Sequence, residues 1–154
     1  QFGSKLYLIP YSYFDILSQT SIPSRYQLVF FKHFIFKMAE KIAVENGYDA
    51  IVSGDSLCQV ASQTIENIKA TSLDIQIPIF RPLLTDDKEE IINHAIRIET
   101  YDLSIKDYKD CCSLVSENPL TKTNLEKFAD IVECSNIDEI ISQSKKAMED
   151  FDIS

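Results

Sequence analysis

The sequence predicts an α/β fold, a partial parallel sheet followed by a helical C-terminal extension. Three observations point there. Apolar strand-like runs alternate with helix-period segments as far as Ile98, the pattern of right-handed βαβ crossovers. The run Ala50, Ile51, Val52 is apolar at consecutive positions, so both its faces are expected to be buried, as in a parallel sheet. From residue 121 onward only helical patterns follow.

Taken in order, Lys5–Pro10 (KLYLIP) reads as the first strand. A break at Pro23 follows, and Ser24 with Gln27 fits a capping box opening a long helix over residues 25–46. Its apolar positions Leu28, Phe31, Ile35, Met38, Ala39 and Ile42 keep helical spacing, and Gly47 closes it. Residues 49–53 form the next strand and 57–70 a helix. Residues 77–84 form a strand shortened by Pro78 and Pro82. Asp86 is expected to cap a helix over 87–98, and 99–120 to be irregular. Thr123 with Glu126 opens a further helix, and a last one covers 137–149. The chain thus divides into a sheet-containing portion, 1–120, and a helical extension, 121–154.

Composition narrows the function classes. The 154 residues suffice for one domain with a sizeable core. The formal charge of −9 argues against this piece alone gripping nucleic acid by neutralising phosphates. No apolar run approaches the roughly 18 residues of a membrane span. No basic-then-apolar leader pattern follows Gln1. Gln1 is not an initiator Met, so a fragment, a processed chain or an excised domain is expected. The four cysteines, Cys58, Cys111, Cys112 and Cys134, are expected to be reduced.

Chemistry concentrates at a few positions. Ser53-Gly54-Asp55-Ser56 joins a strand to a helix, and backbone N–H groups at a helix start attract phosphate or the polar edge of a nucleotide. Gly54 serves either that approach or merely a tight turn. Gln59 and Gln63, four apart, are expected on one helical face, turned to a ligand or to solvent. Lys32 within FFKHF either extends to solvent or reaches an anion. Lys88 in DDKEE is a cation at a helix start, either offset by its acidic neighbours or directed at phosphates over the strand ends. Cys111 and Cys112 lie in a polar loop, and since adjacent cysteines make strained disulfides, two free thiols are expected. Cys58 and Cys134 read as helix packing residues. His33 and His94 lack Cys or carboxylate partners at ligand spacing, so no metal site is expected.

Set in order, GDSLCQVASQT, IPIFRPLLTDDKEEIINHAIRIETYDLS and the cysteine loop with SENPLT resemble the PP-loop ATP pyrophosphatase domain of the ThiI family. These are tRNA 4-thiouridine synthetases, or tRNA sulfurtransferases, linked to thiamine biosynthesis. The resemblance covers residues 5–133 and implies the C-terminal part of an adenine nucleotide alpha hydrolase-like, Rossmann-like domain. It implies a full protein that uses ATP, with Mg²⁺, to adenylate a tRNA uridine oxygen that persulfide sulfur then replaces. By position, Lys32, Gly54 and Gln63 match residues that contact ATP, and Lys88 matches the catalytic lysine of the D-K-E motif. Counting forward from Lys88 makes Cys111 the catalytic cysteine, and counting back from Pro119 makes it Cys112. The implied partners are tRNA, through an N-terminal domain, and a persulfide donor such as a cysteine desulfurase. A cytoplasmic location is implied and a homodimer left open.

Three departures qualify the match. Cys58 stands where the family has a second glycine, Asp55 where it has Glu, and no S-G-G-x-D-S loop occurs in the chain. The chain alone is therefore expected not to adenylate. The competing readings are a non-catalytic or degenerate nucleotide-binding module, and another PP-loop ATP pyrophosphatase such as an amide-forming enzyme.

Overall fold

The computed structural model describes residues 3–57, 63–107, 115 and 120–153. In chain order these carry β1 (Ser4–Leu8), α1 (Ser12–Ser21), a 3-10 turn (Ser24–Tyr26), α2 (Gln27–Asn46), β2 (Ile51–Val52) and α3 (Ile65–Thr71). Then come β3 (Ile79–Phe80), α4 (Lys88–Arg97), α5 (Tyr101–Ser104), α6 (Leu125–Cys134), α7 (Ile137–Lys146) and β4 (Glu149–Ile153). The class is α/β, and β2 and β3 pair in parallel, Ile51 opposite Ile79 and Val52 opposite Phe80.

Helix α2 organises the core. It is apolar on more than one stripe, and it buries Val29, Phe30, Phe34 and Met38 almost completely. Phe14 of α1 sits among Phe30, Phe31 and Phe34, with ring centroids 4.9 to 6.2 Å away. Phe128 of α6, with Ile137 and Ile141 of α7, joins the same cluster. Gly47 ends the helix with φ +73°, the left-handed conformation that favours glycine.

Several local expectations are corrected. No capping box opens α2: Pro23 is followed by a 3-10 turn whose Tyr26 N–H bonds Pro23 O at 2.8 Å, and the Gln27 amide donates to Ser18 O instead. Helix α3 begins at Ile65, with Thr64 as its cap, so Gln63 precedes the helix rather than sharing a helical face with Gln59. Asp87, not Asp86, caps α4, and Asn124, not Thr123, caps α6. Cys134 is exposed at the end of α6 and packs nothing into the core. Val52 and Phe80 are 71% and 59% exposed, so among the described residues the parallel pair is not covered on both faces.

The chain beyond Lys146 forms a strand, not the end of a helix. β4 pairs antiparallel with β1, Ser4 opposite Ile153 and Leu8 opposite Glu149, and Lys5 bridges to Asp150 at 3.0 Å. The signal lies in EDFDI itself, where acid and apolar residues alternate with the period of a strand. A groove of about 410 Å³, lined by Ile9, Tyr11, Phe31, Phe34, Met38 and Ile42 among others, runs along α2.

Candidate nucleotide site

The carboxyl ends of parallel strands are where α/β folds place ligands. Here those ends are stitched together by the backbone. Ser53 N–H bonds Phe80 O at 2.9 Å, and Leu57 N–H bonds Leu84 O at 2.9 Å. The Ser56 hydroxyl donates to Asp86 O at 3.2 Å. The loop Ser53–Leu57 after β2 therefore lies against Arg81–Asp86 after β3, and α4 starts from that same edge.

Asp55 is the centre of the arrangement. Its side chain is 9% exposed and lies 3.3 Å from the Lys32 ammonium through Oδ1. Its Oδ2 accepts from Arg81 Nε at 3.3 Å and from the Ser53 hydroxyl at 2.8 Å. Burial raises the carboxyl pKa, but the Ser53 hydroxyl, Lys32 and Arg81 outweigh it, and the group is held below its ordinary value as a carboxylate. Lys32 reaches this edge from α2, with its side chain 16% exposed. It thus meets a carboxylate rather than extending freely to solvent. Arg81 also donates to the Ser72 hydroxyl at 2.6 Å and lies 5.5 Å above the Phe36 ring. A recess of about 280 Å³, lined by Lys32, Phe36, Val52, Ser53 and Asp55 among others, opens beside the cluster.

Gly54 is exposed and has no positive φ. Among the described residues a Cβ built on it meets nothing within 4 Å. Its backbone conformation therefore does not itself demand glycine, and among the described residues nothing crowds the position. Gln63 Oε1 accepts from Ser56 N–H at 3.3 Å, so this amide braces the glycine loop from outside the helix. Lys88 is exposed at the first position of α4. Asp87 Oδ1 accepts from the Glu89 and Glu90 N–H groups at 2.8 and 2.9 Å, and Glu90 returns a bond to Asp87 N–H. The dipole end beneath Lys88 is thereby already satisfied by acids.

Structure thus brings Lys32, Gly54 and Gln63 to one loop and sets Lys88 at the helix that starts beside it. Cys111, Cys112, Cys58 and Gln59 lie outside the described residues. Sequence reasoning missed Asp55 as a partner of Lys32 and Arg81. The signal was an acid three residues past the strand β2, with one lysine in the apolar stretch of α2 and one arginine after β3. The donor set suits an anion: two cations face one carboxylate, which leaves a positive charge in a half-covered site. Among the described residues no group of three or more His, Cys, Asp or Glu could hold a metal. His94 has a carboxylate partner after all, Asp86 at 3.2 Å, yet the pair is too small to be a metal site.

Residues 1–137 match the family model described as "Thiamine biosynthesis protein (ThiI)". A probable tRNA sulfurtransferase of Caldanaerobacter subterraneus is 41% identical over 126 residues, covering 81% of this chain and 33% of that protein. Those of Lysinibacillus sphaericus and Thermus thermophilus are 38% and 42% identical, covering 97% and 79% of this chain and 38% and 30% of their own lengths. The chain spans about a third of the length of these curated relatives. A crystal structure of a 4-thiouridine synthetase–RNA complex with bound ATP superposes with a TM-score of 0.91 at 28% identity. That match covers 99% of this chain and 40% of the other.

Proposed function

The chain belongs to the ThiI family, and on that premise we propose that it is part of an ATP-dependent tRNA sulfurtransferase. The full-length enzyme adenylates a uridine oxygen of tRNA and replaces it with persulfide sulfur to give 4-thiouridine, and it carries a linked role in thiamine biosynthesis. The observation that carries this reading is the convergence of Lys32, Gly54, Asp55 and Arg81 at the carboxyl ends of β2 and β3, within a chain matched to the family over residues 1–137.

ATP supplies the adenylyl group that turns the uridine oxygen into a leaving group. The chain's own residues hold and polarise. Gly54 lets the backbone after β2 come close to the nucleotide, since no side chain stands there. Gln63 keeps that loop in place through Ser56. Lys32 provides a positive charge beside the loop, and Lys88 provides another at the start of α4, where charge develops on phosphate during adenylation. Mg²⁺, where the reaction uses it, would be held largely by the nucleotide's own phosphates and would neutralise charge there. The thiolate of Cys111 or Cys112 attacks the outer sulfur of the persulfide of a donor such as a cysteine desulfurase, forming a new S–S bond as the donor's cysteine leaves as thiolate, or it closes a disulfide with the donor's cysteine as the transferred sulfur departs on the uridine. Because the chain carries a formal charge of −9, tRNA is bound chiefly by basic surface elsewhere in the full-length protein, in the cytoplasm.

The test is Lys88→Ala in the full-length protein. Its side chain is exposed, so the fold should persist while 4-thiouridine formation, measured by nucleoside analysis of tRNA, disappears. Normal thiolation by that variant would remove the assignment. One of Cys111→Ala and Cys112→Ala should stop turnover with a persulfide donor, and normal turnover by both would remove the cysteine role.

A further inference from the structure

We propose that Asp55 is a positioning residue that fixes the Lys32 ammonium for the nucleotide; this deepens the reading above and rests on it. Asp55 divides its carboxylate between two cations, Oδ1 to Lys32 and Oδ2 to Arg81. The two cations are not equivalent. Arg81 is held from three sides, by Asp55, by the Ser72 hydroxyl at 2.6 Å and by the face of Phe36. Lys32 is a flexible four-carbon stem ending in a compact charge with three donors, of which Asp55 takes one. Arg81 therefore anchors Asp55, and Asp55 anchors Lys32. The Ser53 hydroxyl adds a third tie to Asp55, its second at Oδ2, from the last residue before Gly54.

The direction of control follows from charge. If the carboxylate is replaced by an amide, two cations face each other across a group that can accept from only one side. The firmly tied Arg81 stays and Lys32 swings away, so an ordered ammonium becomes a mobile one. An anion must then restrict that side chain on binding, and the lost rotamer freedom lowers affinity. Adding net positive charge works the other way, yet an unplaced charge close to water contributes little compared with one fixed in a half-buried site.

The test uses the full-length protein and ATP itself. Asp55→Asn should raise the KM for ATP about tenfold with a smaller change in kcat, read on protein that is folded at the assay temperature, since losing the shared carboxylate also lowers the melting temperature. Asp55→Glu should restore ATP affinity to near the parent's, because a carboxylate again meets both cations. Lys32→Met should weaken ATP binding on its own, and the double variant Asp55→Asn/Lys32→Met should bind no worse than Lys32→Met, since Asp55 acts through Lys32. Additive losses would overturn the proposal, as would an Asp55→Asn protein that keeps parental ATP affinity. An Asp55→Asn protein that melts early while its folded fraction binds ATP normally would also overturn it, by showing a purely structural role. A parent protein that neither binds ATP nor thiolates tRNA would instead remove the enzyme reading itself.

Discussion

Replacing Asn67 by Ala should loosen the joint between α3 and the C-terminal helices by about 2 to 3 kcal/mol. Asn67 is 1% exposed and lies where α3 meets the chain that follows the cysteine loop. Its Oδ1 accepts from Thr123 N–H at 3.0 Å and from the Thr123 hydroxyl at 2.7 Å, and its amide donates to Leu120 O at 2.7 Å. Asn67→Ala leaves these three groups without that partner, each worth about 1 kcal/mol net. Water entering the vacated space recovers part of the loss, which sets the lower figure. Native-state hydrogen exchange reads the effect locally, and the expected loss corresponds to amides of α3 and of residues 121–128 exchanging about 30- to 150-fold faster. Asn67→Asp provides the control. It keeps the acceptor for Thr123, loses the donor to Leu120 and introduces a carboxyl whose pKa burial raises, so the damage should grow as pH rises and shrink towards acid. Exchange in Asn67→Ala less than about threefold faster than in the parent would refute the reasoning, because the three bonds would then contribute almost nothing.

Two further outcomes separate stability from function. Gly54→Ala should leave stability unchanged or slightly raised, since the new methyl meets nothing within 4 Å, while the KM for ATP rises. Unchanged ATP kinetics would show that nothing approaches that backbone. His33 is fully buried beside the Phe30 and Phe128 rings, with Nδ1 3.3 Å from Thr71 O and Nε2 without a hydrogen-bond partner among the described residues. Burial lowers its pKa, so the unfolded chain binds the proton more readily. The contribution of neutral His33 is complete above the ordinary histidine value and is lost as pH falls below it. Melting temperature should therefore drop as pH is lowered through about 6.5, and His33→Leu should flatten that slope whatever it does to the plateau. An identical slope in the variant would assign the pH dependence to other groups.

How much of this was legible before the structure depends on the range of the interactions involved. Helix α2 is legible because twenty residues repeat one pattern and Gly47 marks the end. The start of α2 is not, because a 3-10 turn after Pro23 replaces the side-chain cap that Ser24 and Gln27 suggest. Asp86 and Asp87 look equivalent in sequence, and only backbone geometry decides that the second caps α4 while the first turns to His94. At the site, residue types are legible and pairings are not. Lys32, Asp55 and Arg81 stand 23 and 26 positions apart, and their meeting is set by how α2 crosses the ends of β2 and β3. Gln63 was placed on a helical face from its spacing to Gln59, whereas Thr64 caps α3 one residue later and leaves Gln63 to brace the loop. Strand β4 was hidden for a related reason: its partner β1 lies at the other end of the chain.

The site also resolves an apparent contradiction between charge and ligand. A chain with formal charge −9 seems a poor host for a polyphosphate. Net charge, however, acts at long range, and at physiological salt its field is screened within about 8 Å. A nucleotide would respond to what lies within a few ångströms, and among the described residues at the ends of β2 and β3 that includes Lys32 and Arg81 paired with the carboxylate of Asp55. Burial strengthens this local excess, since the Lys32, Arg81 and Asp55 side chains are only 16%, 13% and 9% exposed. An extended polyanion such as tRNA is different, because its phosphates span many Debye lengths and sample the acidic surface as a whole. The proposed reading, a nucleotide held at this site and RNA held by other parts of the protein, is compatible with that distribution of charge. That division of labour is what the distribution of its charges supports, rather than their sum.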